Sequence, residues 1–265
     1  MKISDIGHAF ITGGASGIGR GTAQALATRG VCVTIVDINA DALEAAVREG
    51  DDRMRGLLLD VRDREAWAKA KAEAEATFGP VDLLFNNAGI CSTGYELADM
   101  DPASFDRIVG VNLFGTFNGI SAFAPDMRAR RRGHIVNTAS YVAIAPPQYG
   151  VGGSYVASKF GIVGLSEVLR MEMAPHEIGV SVLCPGHIAT GMGRSPANRI
   201  GDSRKVPGLG ATPGGRVEDL VPRLFAGIEA NAFYILSHCE NDWASVQSRN
   251  IELEQAFAQA RAATA

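Results

Sequence analysis

Short apolar runs alternate along the chain with longer stretches in which apolar residues return every three or four positions. The runs are "AFITG" (9–13), "VCVTIVD" (31–37), "RGLLLD" (55–60), "VDLLFNN" (81–87), "HIVNTAS" (134–140), "VSVLCPG" (180–186) and "AFYILS" (232–237). Between them a helical period covers 17–29, 39–49, 63–78, 102–131, 154–176 and 216–230. Strands covered by helices on both faces are apolar without alternation, and strand–helix alternation dictates parallel pairing through crossover helices. The pattern predicts an α/β fold in which residues 1–265 form a single domain around a doubly wound parallel sheet of seven strands. Two stretches break it. Residues 191–215 are rich in Gly and Pro with little apolar period, which inside a compact domain reads as a substrate lid. Within 239–262, Trp243, Val246, Leu253 and Phe257 recur at spacings of 3, 7 and 4, one stripe of an extra C-terminal amphipathic helix.

Composition narrows the class of partner. Of 265 residues 46% are apolar and 20% charged, enough for a substantial core. A net charge of −4 argues against nucleic acid. The basic run "RARRR" (128–132) reads as a solvated helix end, with Gly133 at the position after the cap. Cys32, Cys91, Cys184 and Cys239 are scattered, without CxxC or Cys/His clustering, so no metal site is expected and free thiols in a reducing cytoplasm are. No apolar run reaches membrane-spanning length, and the first strand starts too early to leave room for a signal peptide. A cytoplasmic protein with no membrane or nucleic-acid partner is the expectation.

Candidate chemistry begins at "TGGASGIG" (12–19), between the first strand and first helix. Gly13, Gly17 and Gly19 permit a tight turn and close backbone approach, and the helix N-terminus beyond them offers bare N–H groups to a phosphate. The spacing is G-x-x-x-G-x-G rather than the commoner G-x-G-x-x-G, and taken alone such a loop is also an ordinary turn. Asp37, ending the second strand, stands where an acid meets adenosine ribose hydroxyls. It would accept from a free 2′-hydroxyl and repel a 2′-phosphate, and "DINA" brings no cation after it, which favours NAD over NADP. The same Asp could instead cap the next helix. Asp60 and Val61 after the third strand and "NNAG" (86–89) after the fourth describe a cleft for an extended ligand, or simply turns. "SYVASKFG" (154–161) then sets Tyr155 one helical turn before Lys159, either a surface pair or an acid/base site.

Together "TGGASGIG", "NNAG", Asn112, Ser140 and "YVASK" occur in the order and spacing of the short-chain dehydrogenase/reductase family, which residues 5 to 237 resemble. The resemblance implies a seven-stranded Rossmann-type fold that binds NAD(P) and moves a hydride between nicotinamide and a carbonyl or alcohol carbon. It implies a catalytic group of Asn112, Ser140, Tyr155 and Lys159. It also implies contacts to the adenosine and pyrophosphate from Gly13, Ser16, Gly17, Ile18, Gly19, Asp37, Asp60, Val61, Asn87, Ala88 and Gly89. "PGHIAT" (185–190) would lie behind the nicotinamide, with Pro185, Gly186, Ile188 and Thr190 in contact. On this reading Lys159 biases Tyr155 toward phenolate and holds the nicotinamide ribose, Ser140 donates to the substrate oxygen, and Asn112 holds a water linking Lys159 to solvent. Lowering a phenol from about 10 to about 7 takes ~4 kcal/mol, roughly what one unit charge at about 4 Å supplies at an effective dielectric near 20.

Ser140 and Tyr155 are 15 residues apart, about two more than the usual family spacing, and the apolar insert "YVAIAPPQYGVGG" suggests a hydrophobic pocket wall. Cys91, Val142, Tyr149, His187 and Met192 are its candidate lining. The ending "NAFYILSHCENDW" and the segment "GVNLFGTFNGI" resemble a subgroup that includes bacterial Cα-dehydrogenases of lignin-type aryl alcohols. The expected activity is NAD-dependent interconversion of a hydrophobic secondary alcohol, aromatic ones included, and its ketone, by a homodimer or homotetramer. An NADPH-dependent carbonyl reductase and a non-catalytic NAD-binding regulator are the alternatives.

Overall fold

A computed structural model describes residues 1–50, 52–93, 95–145, 152–190, 192, 199–201, 214–237 and 243–263. In chain order the elements are β1 (His8–Thr12), α1 (Gly17–Ala27), β2 (Cys32–Asp37), α2 (Ala40–Arg48), β3 (Met54–Leu58), α3 (Arg64–Phe78), β4 (Leu83–Asn86), β5 (Cys91–Thr93), α4 (Pro102–Val109), α5 (Gly115–Arg130), β6 (His134–Thr138), α6 (Gly153–Met173), β7 (Gly179–Cys184), β8 (Arg199–Gly201), α7 (Val217–Glu229), β9 (Tyr234–Leu236) and α8 (Trp243–Ala262). The seven-stranded sheet runs β3-β2-β1-β4-β6-β7-β9, parallel throughout. Strand order reverses between β1 and β4, which opens a crevice at their carboxyl ends.

The strand pleat explains the unbroken apolar runs. Ile11, Ile35, Phe85, Val136 and Leu183 face one layer with Leu26, Leu220, Leu224 and Phe225. Phe10, Val36, Leu84, Ile135 and Val180 face the other, with Trp67, Phe123, Met127 and Met173. Each strand thus feeds two cores, and no position can be polar without cost. Helix starts follow local chemistry: Asn39 accepts from Ala42 N at 3.1 Å, Asp63 from Glu65 N at 3.0 Å, and Asp101 from Ser104 N at 3.0 Å.

Four expectations change. The long helix over 102–131 is two helices joined by a π turn at Gly110–Phe114. The stretch Pro102–Arg130 is apolar and long enough to cross a membrane, but half of its apolar window is buried, because α5 packs Phe123 and Met127 into the core. The basic run is a clamp rather than a solvated end. Asp82, only 5% exposed, accepts from Arg132 Nε at 2.9 Å, Arg130 Nη1 at 3.3 Å and Gly7 N at 2.9 Å. Arg131, with φ 50°, takes the left-handed position at the helix end, and Gly133 does not. The stripe on α8 is not covered: the helix has no buried residue, Trp243 is 61% and Phe257 66% exposed, and Arg249 lies over the Phe160 ring at 4.6 Å. Of the expected 191–215 lid, Met192, β8 and Gly214–Gly215 are described, and β8 pairs in parallel with β5, a pairing the sequence pattern did not suggest.

Candidate active site

The glycine loop is held open by exclusion. Gly13 has φ +63°, and a Cβ there would stand 2.9 Å from Ala88 Cα. A Cβ on Gly19 would stand 2.4 Å from Gly13 O, so neither position can carry a side chain without moving the backbone. Thr12 Oγ1 accepts from Asn87 N at 2.8 Å and Ala88 N at 2.9 Å, while Asn87 Nδ2 donates to Thr12 O at 3.0 Å and Gly13 O at 3.3 Å. Asn87, expected against the cofactor, has both amide hydrogens committed to the shape of the loop. Ser16 precedes α1 with a hydroxyl that makes no cap bond, and Ile18 packs into the core. Asp37 bridges loop and strand, accepting from Ala15 N at 3.3 Å and Asn39 N at 3.0 Å. Asp60 is paired with Arg62 (Nη2 to Oδ2 2.6 Å), whose hydrogen bonds hold the carboxyl below the usual carboxylate range. Val61 O accepts from Trp67 Nε1 at 3.0 Å and Asn118 Nδ2 at 2.9 Å. A side-chain-free cradle, an unengaged hydroxyl at a helix N-terminus and an acid beside it fit a dinucleotide phosphate chain and ribose.

Across the crevice, Ser140 follows β6 and Tyr155 and Lys159 lie on α6. The Ser140 side chain stands near enough to the Tyr155 hydroxyl to favour its ionised form. Lys159, 2% exposed, donates to Thr138 O at 2.8 Å, with Nζ 5.6 Å from the Tyr155 ring centroid. Asn112 sits in the π turn, fully buried. Its Oδ1 accepts from Ile90 N at 2.9 Å, and its Nδ2 donates to Ile90 O at 3.0 Å and Ser158 Oγ at 2.9 Å. Ser158 Oγ in turn donates to Tyr155 O at 2.7 Å. The Asn112 side chain therefore ties Ile90, just before β5, to the Tyr155 turn of α6, which makes that side chain a positioning group. A π turn inserts one residue into a helix, and here it presents Asn112 to two elements at once.

The expected effect of Lys159 on Tyr155 is not what the resting protein shows. Burial pushes the phenol up to about 12, against a lowering by Ser140, and burial pushes the ammonium down to about 8. As pH rises Lys159 loses its proton first, so it carries no charge where the phenol would titrate. Desolvation of both groups outweighs their attraction. Tyr155 as a residue is partly exposed, so it is its hydroxyl end that the protein surrounds.

On the substrate side, Cys91 Sγ donates to Met192 O at 3.7 Å, and burial raises the thiol. Val142 N donates to Ser140 Oγ at 3.4 Å. Pro185 O accepts from Tyr141 N at 2.9 Å, and Gly186 N donates to Ser237 Oγ at 2.9 Å. Ile188 is buried in a bridge to Gly215, and Thr190 lies 3.1 Å from the Cβ position of Gly17, closing one side of the phosphate cradle. His187 is exposed. Tyr149 lies outside the described residues. The sequence reading missed Trp67, Asn118 and Ser158, polar or aromatic groups inside helical runs whose partners lie far along the chain. It also missed Arg199, paired across the ladder with Cys91.

Known proteins are similar to this chain in sequence and fold. The pattern of short chain dehydrogenases matches residues 7–199. The C alpha-dehydrogenase of Sphingobium sp. strain SYK-6 is 36% identical over 249 residues, 88% of this chain and 80% of that protein. Levodione reductase of Leifsonia aquatica is 38% identical over 193 residues, 69% of this chain and 70% of that protein. Among solved structures, a short chain dehydrogenase/reductase from Burkholderia phymatum in complex with NAD superposes with a TM-score of 0.85 at 31% identity, covering 96% of this chain and 97% of that one. With the Rossmann-type sheet, the glycine cradle and the Ser140–Tyr155–Lys159 cluster in place, the chain belongs to the short-chain dehydrogenase family.

Proposed function

We propose that the protein is an NAD-dependent oxidoreductase that interconverts a hydrophobic, aryl-bearing secondary alcohol and its ketone. The observation that carries this reading is the convergence of Ser140, Tyr155 and Lys159 in a buried group facing the glycine cradle. Bound nicotinamide supplies the hydride acceptor or donor. The chain's own residues handle the proton and the oxygen. Ser140 and Tyr155 present two hydroxyls to one substrate oxygen, so charge developing there meets donors already aligned. Tyr155 Oη takes the alcohol proton in oxidation and returns it in reduction. Lys159, its charge intact at neutral pH, holds ribose hydroxyls and stabilises the phenolate. Asp37, fixed by Ala15 N and Asn39 N, repels a 2′-phosphate, which supports NAD over NADP. Cys91, Val142 and Met192 suit an apolar substrate better than a polyol. Phe114, Phe117, Val168 and Met171 are exposed apolar residues on or beside α5 and α6 and suit a homodimer face; free Cys32, Cys91 and Cys184 suit a reducing cytoplasm.

The test is initial-rate measurement with NAD+ and NADP+ on 1-phenylethanol, cyclohexanol and a polyol, for the native protein and Tyr155→Phe. NAD+-dependent turnover of 1-phenylethanol that falls by at least ~1000-fold in the variant, with NADH binding retained, is expected. Faster turnover with NADP+ would overturn the cofactor assignment, and full turnover by Tyr155→Phe the catalytic one.

A further inference from the structure

Resting on the oxidoreductase reading above, we infer that Arg199 selects substrates that carry a carboxylate remote from the reacting carbon. β5 and β8 pair in parallel with Cys91 directly across from Arg199. Residues facing each other across a ladder send their side chains to the same side of the sheet. The guanidinium therefore shares the face on which the Cys91 thiol donates to Met192 O at 3.7 Å. Met192 leads back to the reacting groups: its Cε is 3.8 Å from the Cβ position of Gly89, which is itself 3.5 Å from Lys159 Nζ. The Arg199 charge also lies near enough to favour the Cys91 thiolate against the rise that burial imposes.

The chemistry of that cation narrows the substrate. Arg199 is partly buried, so its field is screened less than that of a surface charge. A guanidinium offers five donors and holds a carboxylate through two parallel bonds, alongside any other acceptor it has. Cys91 and Met192, which link the strand of Arg199 to the Gly89–Lys159 contact, are apolar, which favours a hydrocarbon or aryl spacer between the reacting carbinol and the anionic end. A neutral polyol matches neither these side chains nor the charge.

The test is calorimetric titration of the protein–NAD+ complex with 4-acetylbenzoate and with acetophenone, which differ only in the carboxylate, for the native protein, Arg199→Met and Arg199→Lys. Thermal melts check that each variant is folded. The native protein should bind the acid at least ~10-fold more tightly than the neutral ketone, a margin of about 1.4 kcal/mol. Arg199→Met should lose that margin and Arg199→Lys should keep part of it. Equal affinities in the native protein, or a margin that survives Arg199→Met, would overturn the inference. Turnover of 4-(1-hydroxyethyl)benzoate with NAD+ is measured in parallel. A margin for the acid without any turnover would leave Arg199 as the anion site and remove the dehydrogenase assignment instead.

Discussion

Replacing Lys159 by Met keeps the volume and removes the charge, and its effect can be worked from the geometry. Burial raises Tyr155 by about two units, from its ordinary value of 10 to about 12, a penalty of about 2.7 kcal/mol on the phenolate. A charge 5.6 Å from the ring centroid contributes about 3 kcal/mol at an effective dielectric near 20. The cation therefore offsets burial and no more. It can do so only while it keeps its proton, below about pH 8, so the further drop toward neutrality that brings the phenol into that range falls to the positive charge of oxidised nicotinamide. Two consequences follow for Lys159→Met saturated with NAD+. The acid limb of kcat/KM for alcohol oxidation moves up by about 2 pH units. The rate deficit is about 100-fold at pH 7 and shrinks toward high pH, where both phenols are ionised. Initial rates of NADH formation between pH 6 and 10.5, with NAD+ affinity measured separately, give the profile. A deficit that stays the same at every pH would refute the electrostatic account and leave Lys159 as a ribose-binding group only.

Three further outcomes are expected. Gly19→Ala sets a methyl 2.4 Å from Gly13 O and 2.7 Å from Asn87 Nδ2; overpacking of this kind costs about 1–3 kcal/mol, so NADH binding, followed calorimetrically, should weaken at least ~10-fold while the fold persists. His134, 1% exposed, faces Ser181 Oγ at 2.9 Å, and because Ser181 gives its only hydrogen to Ala232 O at 2.6 Å, Nε2 carries the proton. Burial, with the amino terminus adding, holds its pKa at about 4, below the unfolded value of about 6.5, so stability is full above pH 6.5 and falls by up to ~3 kcal/mol as pH drops toward 4; urea midpoints should show that slope, and His134→Gln should flatten it. Asp82→Asn breaks the clamp on Arg130 and the half-exposed Arg132 at a cost of about 1.5 kcal/mol, that of a hydrogen bond to a charged group. The urea midpoint should fall accordingly, while kcat of the folded protein stays unchanged, since Asp82 lies at the amino end of β4, opposite the crevice.

What the sequence disclosed and what it concealed divide along contact range. The glycine loop, Asp37 after β2 and the Tyr155–Lys159 turn are legible because the chemistry sits within a few residues of itself. The number of strands and their parallel pairing follow from unbroken apolar runs separated by helices, whereas their order does not. The role of Asn112 was not legible, because Ile90 and Ser158 lie 22 and 46 residues away and nothing local signals a π turn. Asp82 reads as an ordinary strand-start acid until the arginines 48 and 50 residues later fold back onto it. Pairing of β5 with β8 was concealed because three-residue strands carry no periodicity. The stripe read along α8 has no counterpart in burial, since the helix has no buried residue, and a sequence pattern does not say what covers it. The ordering of the Tyr155 and Lys159 titrations also escaped, since proximity is encoded in spacing and burial is not.

The π turn at Gly110–Phe114 acts as a phase shifter. Successive α-helical residues are separated by about 100° around the axis, so one surplus residue lets α4 turn its contacts toward α6 while α5 turns toward the sheet. A one-residue deletion anywhere within 110–114 would restore a regular rod and swing one of the two halves by about a quarter-turn. Either the α4 contacts with α6 or the packing of Phe123 and Met127 would then be misaligned. Length in this segment is therefore fixed by rotation rather than by reach, and indels that exposed loops absorb would be lethal to the crevice here.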